Sequence, residues 1–189
     1  MQVRRFDIAG PLELVPPRFA DARGYFSETF NLAGAQEAGI TETEWVQDNQ
    51  SLSVPAFTLR GLHFQLPPHA QAKIIRVLKG RIFDVAVDLR GSSATFGKWI
   101  GVELSAEKFN QLYVPHGFAH GFLTLESDVL VAYKVSGFYA KAYDRNLDWA
   151  DPAIAIDWPL PRGEKPVLSG RDAAASSLAA LKAELQEAW

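Results

Sequence analysis

Residues 73–89, KIIRVLKGRIFDVAVDL, contain two runs rich in β-branched side chains on either side of Lys79-Gly80. Such runs favour β-strands, and a glycine can adopt the positive φ that a two-residue hairpin loop requires. The stretch therefore predicts a β-hairpin that closes at Lys79-Gly80. Similar alternating runs punctuated by turn residues recur along the chain, which is typical of a β-sandwich or barrel.

The register of this hairpin places Ile75 opposite Asp84, with Lys73 diagonal to Asp84 on the same face. Alternation puts an apolar set on the other face: Phe83, Val85 and Val87. Two interpretations of the mixed face remain open. It is either a solvated outer face carrying a weak surface ion pair, or a barrel interior that holds Lys73 charged beside a substrate.

The remaining elements follow from the same patterns. Further strands are predicted at 99–104, 111–114, 121–125 and 129–135, the last two joined across 126–128, and together they suggest an antiparallel meander. Helices are predicted over 32–38 and, from alanine and leucine content, over 172–187. The fold class expected is all-β, a single domain over residues 1–189 with a few short peripheral helices and a C-terminal helix.

Composition restricts the function classes. The chain has 189 residues, 48% of them apolar, and a net charge of -3 with scattered basic side chains. No patch for a nucleic acid or a membrane surface stands out. Without cysteine, disulfides, thiolate metal sites and cysteine nucleophiles are excluded. No long apolar stretch follows Met1, so we expect neither a signal peptide nor a membrane span, and a cytoplasmic location.

Two motifs carry chemistry: residues 60–65 (RGLHFQ) and residues 115–122 (PHGFAHGF). Charged or imidazole side chains that point into a barrel need a functional reason, because burying them is costly. Pro115-x-Gly117-x-x-His120 resembles the second motif of the cupin superfamily, jelly-roll barrels that often bind metals. The first motif here supplies His63 alone, and His69 lies in a proline-flanked loop. The ligand set is incomplete, so no metal or cofactor is expected, and a metal-dependent cupin enzyme is the disfavoured alternative.

With these motifs the chain resembles the dTDP-4-dehydrorhamnose 3,5-epimerase family, metal-independent cupins with a jelly-roll barrel. The matching segments run along nearly the whole sequence: 21–28, 47–51, 60–65, 83–90, 115–122, 133–134, 139, 143–145, 149–152, 158–159, 168–169 and 171–172. Their number and order make the resemblance strong. It implies a substrate that is a dTDP-linked 4-keto-6-deoxy sugar and a homodimer that exchanges strands.

Epimerisation beside a ketone needs a base, a cation that stabilises the enolate, and an acid on the opposite face. The resemblance assigns His63 as the base, and Lys73 and Tyr133 suit the cation and the acid. The family pairs Asp172 with the catalytic histidine. Each residue also has a plain structural interpretation: a histidine satisfied by backbone, an exposed lysine, a core tyrosine, and a carboxylate that caps a helix after Ser169.

For the nucleotide, the resemblance assigns Arg23 and Arg60 to the diphosphate and Tyr139 to the base, with Phe138 as an alternative platform. The other binding residues it implies are Glu28, Gln47, Asp48, Asn49, His120, Asp144 and Arg171. Arg171 stands where relatives commonly have lysine. Strict alternation would put Arg60 and His63 on opposite faces, so we expect either a bulge permitted by Gly61 or an Arg60 side chain that reaches the ligand around an edge. Arg23 and Glu28 could come from a partner subunit.

Two other functions remain open at this point. A relative that inverts only one carbon would use the same base, cation and pocket. A noncatalytic carbohydrate-binding jelly roll would keep the aromatic side chains but would not need His63, Lys73, Tyr133 and Asp172 together.

Overall fold

The computed structural model describes all 189 residues and consists mainly of β-strands. In chain order the strands are β1 (Gln2–Arg5), β2 (Leu12–Val15), β3 (Phe19–Asp21), β4 (Gly24–Phe26), β5 (Gln47–Ser53), β6 (Leu59–Gln65), β7 (Lys73–Lys79), β8 (Arg81–Asp88), β9 (Trp99–Ser105), β10 (Gln111–Val114), β11 (Phe118–Thr124), β12 (Val129–Val135) and β13 (Asp144–Asn146). The helices are α1 (Leu32–Ala38), α2 (Gly170–Ala173) and α3 (Leu178–Ala188). None of them combines the length and the apolar composition that a membrane crossing requires.

Two antiparallel sheets form the body of the fold. One has six strands in the order β1-β2-β10-β7-β12-β5, and the other has five in the order β13-β6-β11-β8-β9. Apolar side chains from both sheets, such as Ile75 and Val131 on one and Ile82 and Phe122 on the other, share one buried cluster. The two sheets are not joined by hydrogen bonds into a closed barrel. The expected all-β cupin-type jelly roll with few helices is confirmed.

The predicted hairpin between β7 and β8 is wrong. β7 pairs with β10 and β12, whereas β8 pairs with β9 and β11, so the chain passes from one sheet to the other at Gly80, which has φ 81. The predicted meander fails in the same way, because β11 and β12 lie in different sheets. A glycine turn permits both a hairpin and a crossing, and burial of both inner faces in one interior decides between them.

The predicted alternation along β8 is confirmed, although its partner strand is different. Val85 and Val87 are fully buried against the C-terminal segment that covers the outside of the five-stranded sheet. Asp84 and Asp88 point the other way and are also fully buried. The solvated-face interpretation is therefore wrong, and Asp84 lies in the barrel interior.

The predicted C-terminal helix is two helices. Ser176 forms a parallel bridge with Leu147 and interrupts the helical run between α2 and α3. Ser177 then caps α3, its hydroxyl oxygen accepting from the N–H of Ala180 at 3.2 Å. Tertiary contacts override the helix propensity of the alanine-rich stretch. α1 has the predicted bounds and packs with β2 and Ile74 on the outer face of the six-stranded sheet.

Candidate active site

One end of the barrel interior opens into a pocket of about 300 Å³. Both sheets contribute to it, together with the segment after β12 and the turn of α2. Its lining residues are Gln47, Asn49, His63, Phe64, Gln65, Gln71, Lys73, Tyr133, Val135, Tyr139, Asp144 and Arg171. Eight of the residues expected to form the site therefore meet here: Gln47, Asn49, His63, Lys73, Tyr133, Tyr139, Asp144 and Arg171.

His63 reaches the pocket because the strand β6 is irregular. The pairing of β6 with β11 shifts register between His120 and Phe122, which confirms the predicted bulge at Gly61. Gly61 has φ 127, and a Cβ there would lie 2.6 Å from Gly121 Cα, so the close approach of the two strands requires glycine. The bulge turns the side chain of His63 toward the interior.

Asp172 holds the imidazole of His63 from behind. Its Oδ1 lies 2.6 Å from His63 Nε2, and its Oδ2 accepts from the hydroxyl of Ser169 at 2.7 Å. The N–H of Asp172 also donates to Ser169 Oγ at 3.1 Å, so the capping contact and the histidine contact coexist. Burial acts to raise the pKa of Asp172, but the hydrogen bonds from His63 and Ser169 outweigh it and hold the pKa below its ordinary value.

Lys73 is a half-buried ammonium with few partners. Its Nζ makes one long hydrogen bond, 3.4 Å to the backbone oxygen of His63, and no direct ion pair with Asp84, contrary to the contact expected from the hairpin. Burial lowers the pKa of Lys73 from 10.5 to about 8, although the charges of Asp144 and Asp84 act in the opposite direction. With a pKa of about 8, Lys73 is mostly protonated at pH 7 and loses its proton as the pH rises through 8.

His120 lies beside the pocket and does not line it. It pairs directly with His63 across β6 and β11, is 7% exposed, and its Nε2 lies 2.7 Å from Asp84 Oδ1. Burial lowers the pKa of His120 despite the opposing charge and hydrogen bond of Asp84, with Lys73 and His63 lowering it further. Asp84 Oδ2 is buried without a partner.

His, Asp and Glu side chains nowhere form a group of three that could hold a metal ion.

Tyr133 lies on the wall opposite His63. Its strand, β12, belongs to the six-stranded sheet, and the side chain stands between Asn49 and Ile75. Unlike the hydroxyls of Tyr113 and Tyr139, which bond to carboxylates, its hydroxyl makes no hydrogen bond within the chain. Burial raises the pKa of the Tyr133 phenol, with nearby Arg60 acting against it, so the phenol is protonated at neutral pH.

Arg60 and Asp48 do not line the pocket. Arg60 donates to Ser53 Oγ and to the backbone oxygen of Leu52, both at 3.0 Å. Asp48 lies on the outer face of β5, where it pairs with Lys134 at 2.8 Å. Strand alternation explains this position, because Gln47 and Asn49 on either side of Asp48 face inward.

Arg23 and Glu28 also lie away from the pocket of their own chain. Arg23 occupies the turn of the β3–β4 hairpin, where its side chain is 90% exposed and bonds only Asp21 at 2.7 Å. The hairpin contacts Phe109 through Tyr25, with ring centroids 5.4 Å apart. Phe109 precedes β10, beside the end of β7 distant from Lys73. Arg23 and Glu28 are therefore not part of the pocket of their own chain, and their expected role in binding the ligand stays a prediction.

Asp144 links the residues at the mouth of the pocket. Its Oδ2 accepts from Arg171 at 2.6 Å and from the hydroxyl of Tyr139 at 3.0 Å. Four lining residues are absent from the expected set: Phe64, Gln65, Gln71 and Val135. Gln65 and Gln71 are the polar ones among them. Gln65 ends the 60–65 motif, and its place two residues after His63 on one strand was a signal that both face the same side.

Comparison with known proteins identifies the family. The sequence model described as dTDP-4-dehydrorhamnose 3,5-epimerase matches residues 5–180. The dTDP-4-dehydrorhamnose 3,5-epimerase of Sinorhizobium fredii is 46% identical over 186 residues, 98% of this chain and 94% of that protein.

Two crystal structures show the same fold. The Legionella pneumophila epimerase RmlC, in complex with dTDP-4-keto-L-rhamnose, is 43% identical with a TM-score of 0.90, covering 97% of this chain and 96% of that one. ChmJ, a 3'-monoepimerase from Streptomyces bikiniensis in complex with dTDP-quinovose, is 32% identical with a TM-score of 0.87, covering 96% and 90%. This chain belongs to the dTDP-4-dehydrorhamnose 3,5-epimerase family.

Proposed function

We propose that this protein epimerises C3 and C5 of dTDP-4-dehydro-6-deoxy-D-glucose and forms dTDP-4-dehydro-L-rhamnose, a step in the biosynthesis of activated L-rhamnose. One observation carries the proposal. A histidine oriented by a buried carboxylate and a tyrosine with an unbonded hydroxyl line one pocket from opposite sheets, with a half-buried ammonium beside them. Inversion beside a ketone requires these three groups.

His63 is the proposed base. Its Nε2 is occupied by Asp172, which leaves Nδ1 to take the proton from the carbon next to the ketone. As that C–H bond breaks, its electron pair moves into the enolate, and the charge that develops on the keto oxygen is stabilised by the ammonium of Lys73. Asp172 stabilises the imidazolium that results. The step consumes no oxidant and no cofactor.

Tyr133 is the proposed acid. The O–H bond of its phenol breaks as a new C–H bond forms on the face opposite the one His63 deprotonated. Solvent then restores the proton on Tyr133 and removes the proton from His63. A protonated phenol suits this step because it donates a proton yet carries no charge while it waits in a half-buried pocket.

The nucleotide is proposed to lie at the mouth of the pocket. Tyr139 is 58% exposed and offers its ring to the base, and Arg171 offers a guanidinium to the phosphates or the sugar. Gln47 and Asn49, joined by a 2.7 Å hydrogen bond, supply further polar groups. Arg60 can reach the same ligand from beside Tyr133.

A homodimer is part of the proposal. The β3–β4 hairpin carries large exposed apolar side chains, including Phe19 at 62% and Phe26 at 70% exposure. Its Arg23 has no ligand to meet in its own chain, so we propose that Arg23 and Glu28 complete the site of a second copy.

Nucleotide-linked sugars are cytoplasmic metabolites, and the proposal includes a cytoplasmic location for the protein.

Turnover in deuterated water tests the proposal. The protein is incubated with dTDP-4-dehydro-6-deoxy-D-glucose, and NMR locates the incorporated deuterium. We expect deuterium at C3 and at C5 and an L-rhamno product. The His63→Ala variant should lose both exchanges while still binding TDP, because the residues around the nucleotide are unchanged. Near-normal exchange in a folded His63→Ala protein would contradict the assigned base.

A second candidate is epimerisation at one carbon only. The observation behind this candidate is the similarity to a 3'-monoepimerase, with 32% identity and a TM-score of 0.87. Deuterium at C3 alone, with the configuration at C5 retained, would establish this function in place of the first.

A further inference from the structure

Gln65 is a pocket-lining residue whose side chain is fully engaged with backbone. It is 5% exposed, and its Nε2 donates to the backbone oxygens of His69 at 2.7 Å and Phe138 at 3.2 Å. Its Oε1 accepts from the N–H of Ala140 at 2.6 Å. Both donors and one acceptor site are therefore occupied, so the amide holds two segments together instead of offering its donors to a ligand.

The segment held in this way is residues 137–140, which carries Tyr139. Apart from the Ala140 oxygen, which accepts from the N–H of Tyr143, this segment makes no backbone-to-backbone hydrogen bond. Its other backbone contacts come from two glutamines, Gln65 and Gln71, the latter donating to the oxygen of Gly137 at 2.6 Å. The rings of Phe138 and Tyr139 are mostly exposed, so apart from the 3.0 Å hydrogen bond of the Tyr139 hydroxyl to Asp144, side chains do little to fix the segment.

We propose that Gln65 is a positioning residue for nucleotide binding, whose amide fixes residues 137–140 so that Tyr139 is held ready to stack on the base. The inference rests on the proposed function, in which Tyr139 is that platform. A segment fixed before the ligand arrives binds more tightly, because less conformational entropy is lost on association. Gln65 thus acts on affinity for the base and not on proton transfer at His63.

The test uses Gln65→Glu, which has nearly the same shape but places a carboxylate oxygen against the His69 and Phe138 oxygens. We expect the Kd of TDP and the KM of the sugar nucleotide to rise about tenfold or more, with kcat changed less than about threefold. The affinity for inorganic pyrophosphate, which has no base to stack, should be unchanged. Gln36→Glu, the same substitution on the exposed face of α1, is the matched control and should leave all four values unchanged.

A second variant and a second measurement keep the inference testable if Gln65→Glu does not fold. Gln71→Met removes only the half-buried contact to Gly137 and should show the same pattern with a smaller effect. Amide hydrogen exchange over residues 137–140 should be faster in Gln65→Met than in the wild type, because the Ala140 N–H loses its acceptor.

The outcomes separate this inference from the proposed function. Equal weakening of TDP and pyrophosphate, or a fall in kcat at unchanged KM, would overturn the positioning role and leave the epimerase proposal intact. A wild-type protein without epimerase activity would refute the proposed function, while TDP affinity and exchange at Ala140 would still decide the role of Gln65.

Discussion

Replacing Asp84 with Asn should move the alkaline limb of the pH profile. The proposed mechanism needs Lys73 protonated, and its pKa of about 8 predicts that kcat/KM of the wild type falls as pH rises through that value. Asp84 is one of two carboxylates whose charge raises the pKa of Lys73. Removing an opposite charge lowers the pKa of an ammonium by roughly one unit or more. The limb of Asp84→Asn should therefore lie near pH 7 or below.

The asparagine keeps the other contact of this position, since its oxygen can still accept from His120 Nε2. The assay is kcat/KM from pH 5.5 to 9.5, measured by NMR detection of product, with folding checked by circular dichroism at each pH. Asp88→Asn is the control, because Asp88 is equally buried on the same face of β8 but bonds Arg90, Ser93 and Thr95. It should cost stability and leave the limb unchanged.

The same pKa shift makes a statement about stability. Below pH 8 both the folded and the unfolded chain hold the Lys73 proton, and the folded state carries the cost of the buried charge. Between pH 8 and 10.5 the folded state releases this proton first, so the contribution of Lys73 to stability rises with pH in that window. Lys73→Met should therefore stabilise the fold at pH 7 by up to about 3 kcal/mol while it abolishes turnover. Two results would refute this reasoning. One is an alkaline fall of kcat/KM at the same pH in Asp84→Asn as in the wild type, and the other is the same fall in an active Lys73→Arg variant.

Three further outcomes are expected. Asp172→Asn should keep the fold and lower kcat by about ten- to 150-fold, because a hydrogen bond to a charged group is lost. Steady-state kinetics and thermal unfolding measure the two effects, and unchanged activity would assign Asp172 to helix capping alone. Tyr133→Phe should change stability little, since the hydroxyl has no partner within the chain. This variant should incorporate solvent deuterium into the substrate faster than it forms inverted product, because His63 still removes the proton. If exchange and product formation fall together, another group is the acid. Exhaustive chelation should leave full activity, and a loss restored by one particular divalent ion would favour a metal-dependent cupin mechanism.

Local features of the fold were predictable, and the choice of partner strands was not. α1 begins and ends where its pattern predicted, β12 has its predicted bounds, and the bulge at Gly61 is one of the two arrangements predicted for the segment from Arg60 to His63. Propensity and turn chemistry act within a few residues. Whether the strand after Gly80 pairs with β7 or crosses to the facing sheet depends on distant strands that the local pattern does not specify.

In the site, too, some features were predictable from the sequence and others were not. His63, Lys73 and Tyr133 were assigned from motif and chemistry, and all three meet in the pocket. The hydrogen-bond partners of the site residues were harder to predict from the sequence, because they depend on geometry across the fold. Gln65 and its three backbone partners come from three separate segments, so no spacing in the sequence could have indicated that contact.

The crossing at Gly80 has a chemical consequence that the predicted hairpin would not have had. Side by side on one exposed sheet, Lys73 and Asp84 would form a pair screened by water. On facing sheets they influence each other across the interior, where the fully buried carboxylate helps to keep the half-buried ammonium charged near neutral pH. The same arrangement puts His63 and Tyr133 on opposite walls. Inversion at carbon requires that the base and the acid address opposite faces of that carbon, and side chains from two facing sheets are placed to do so, as the proposed roles of His63 and Tyr133 require.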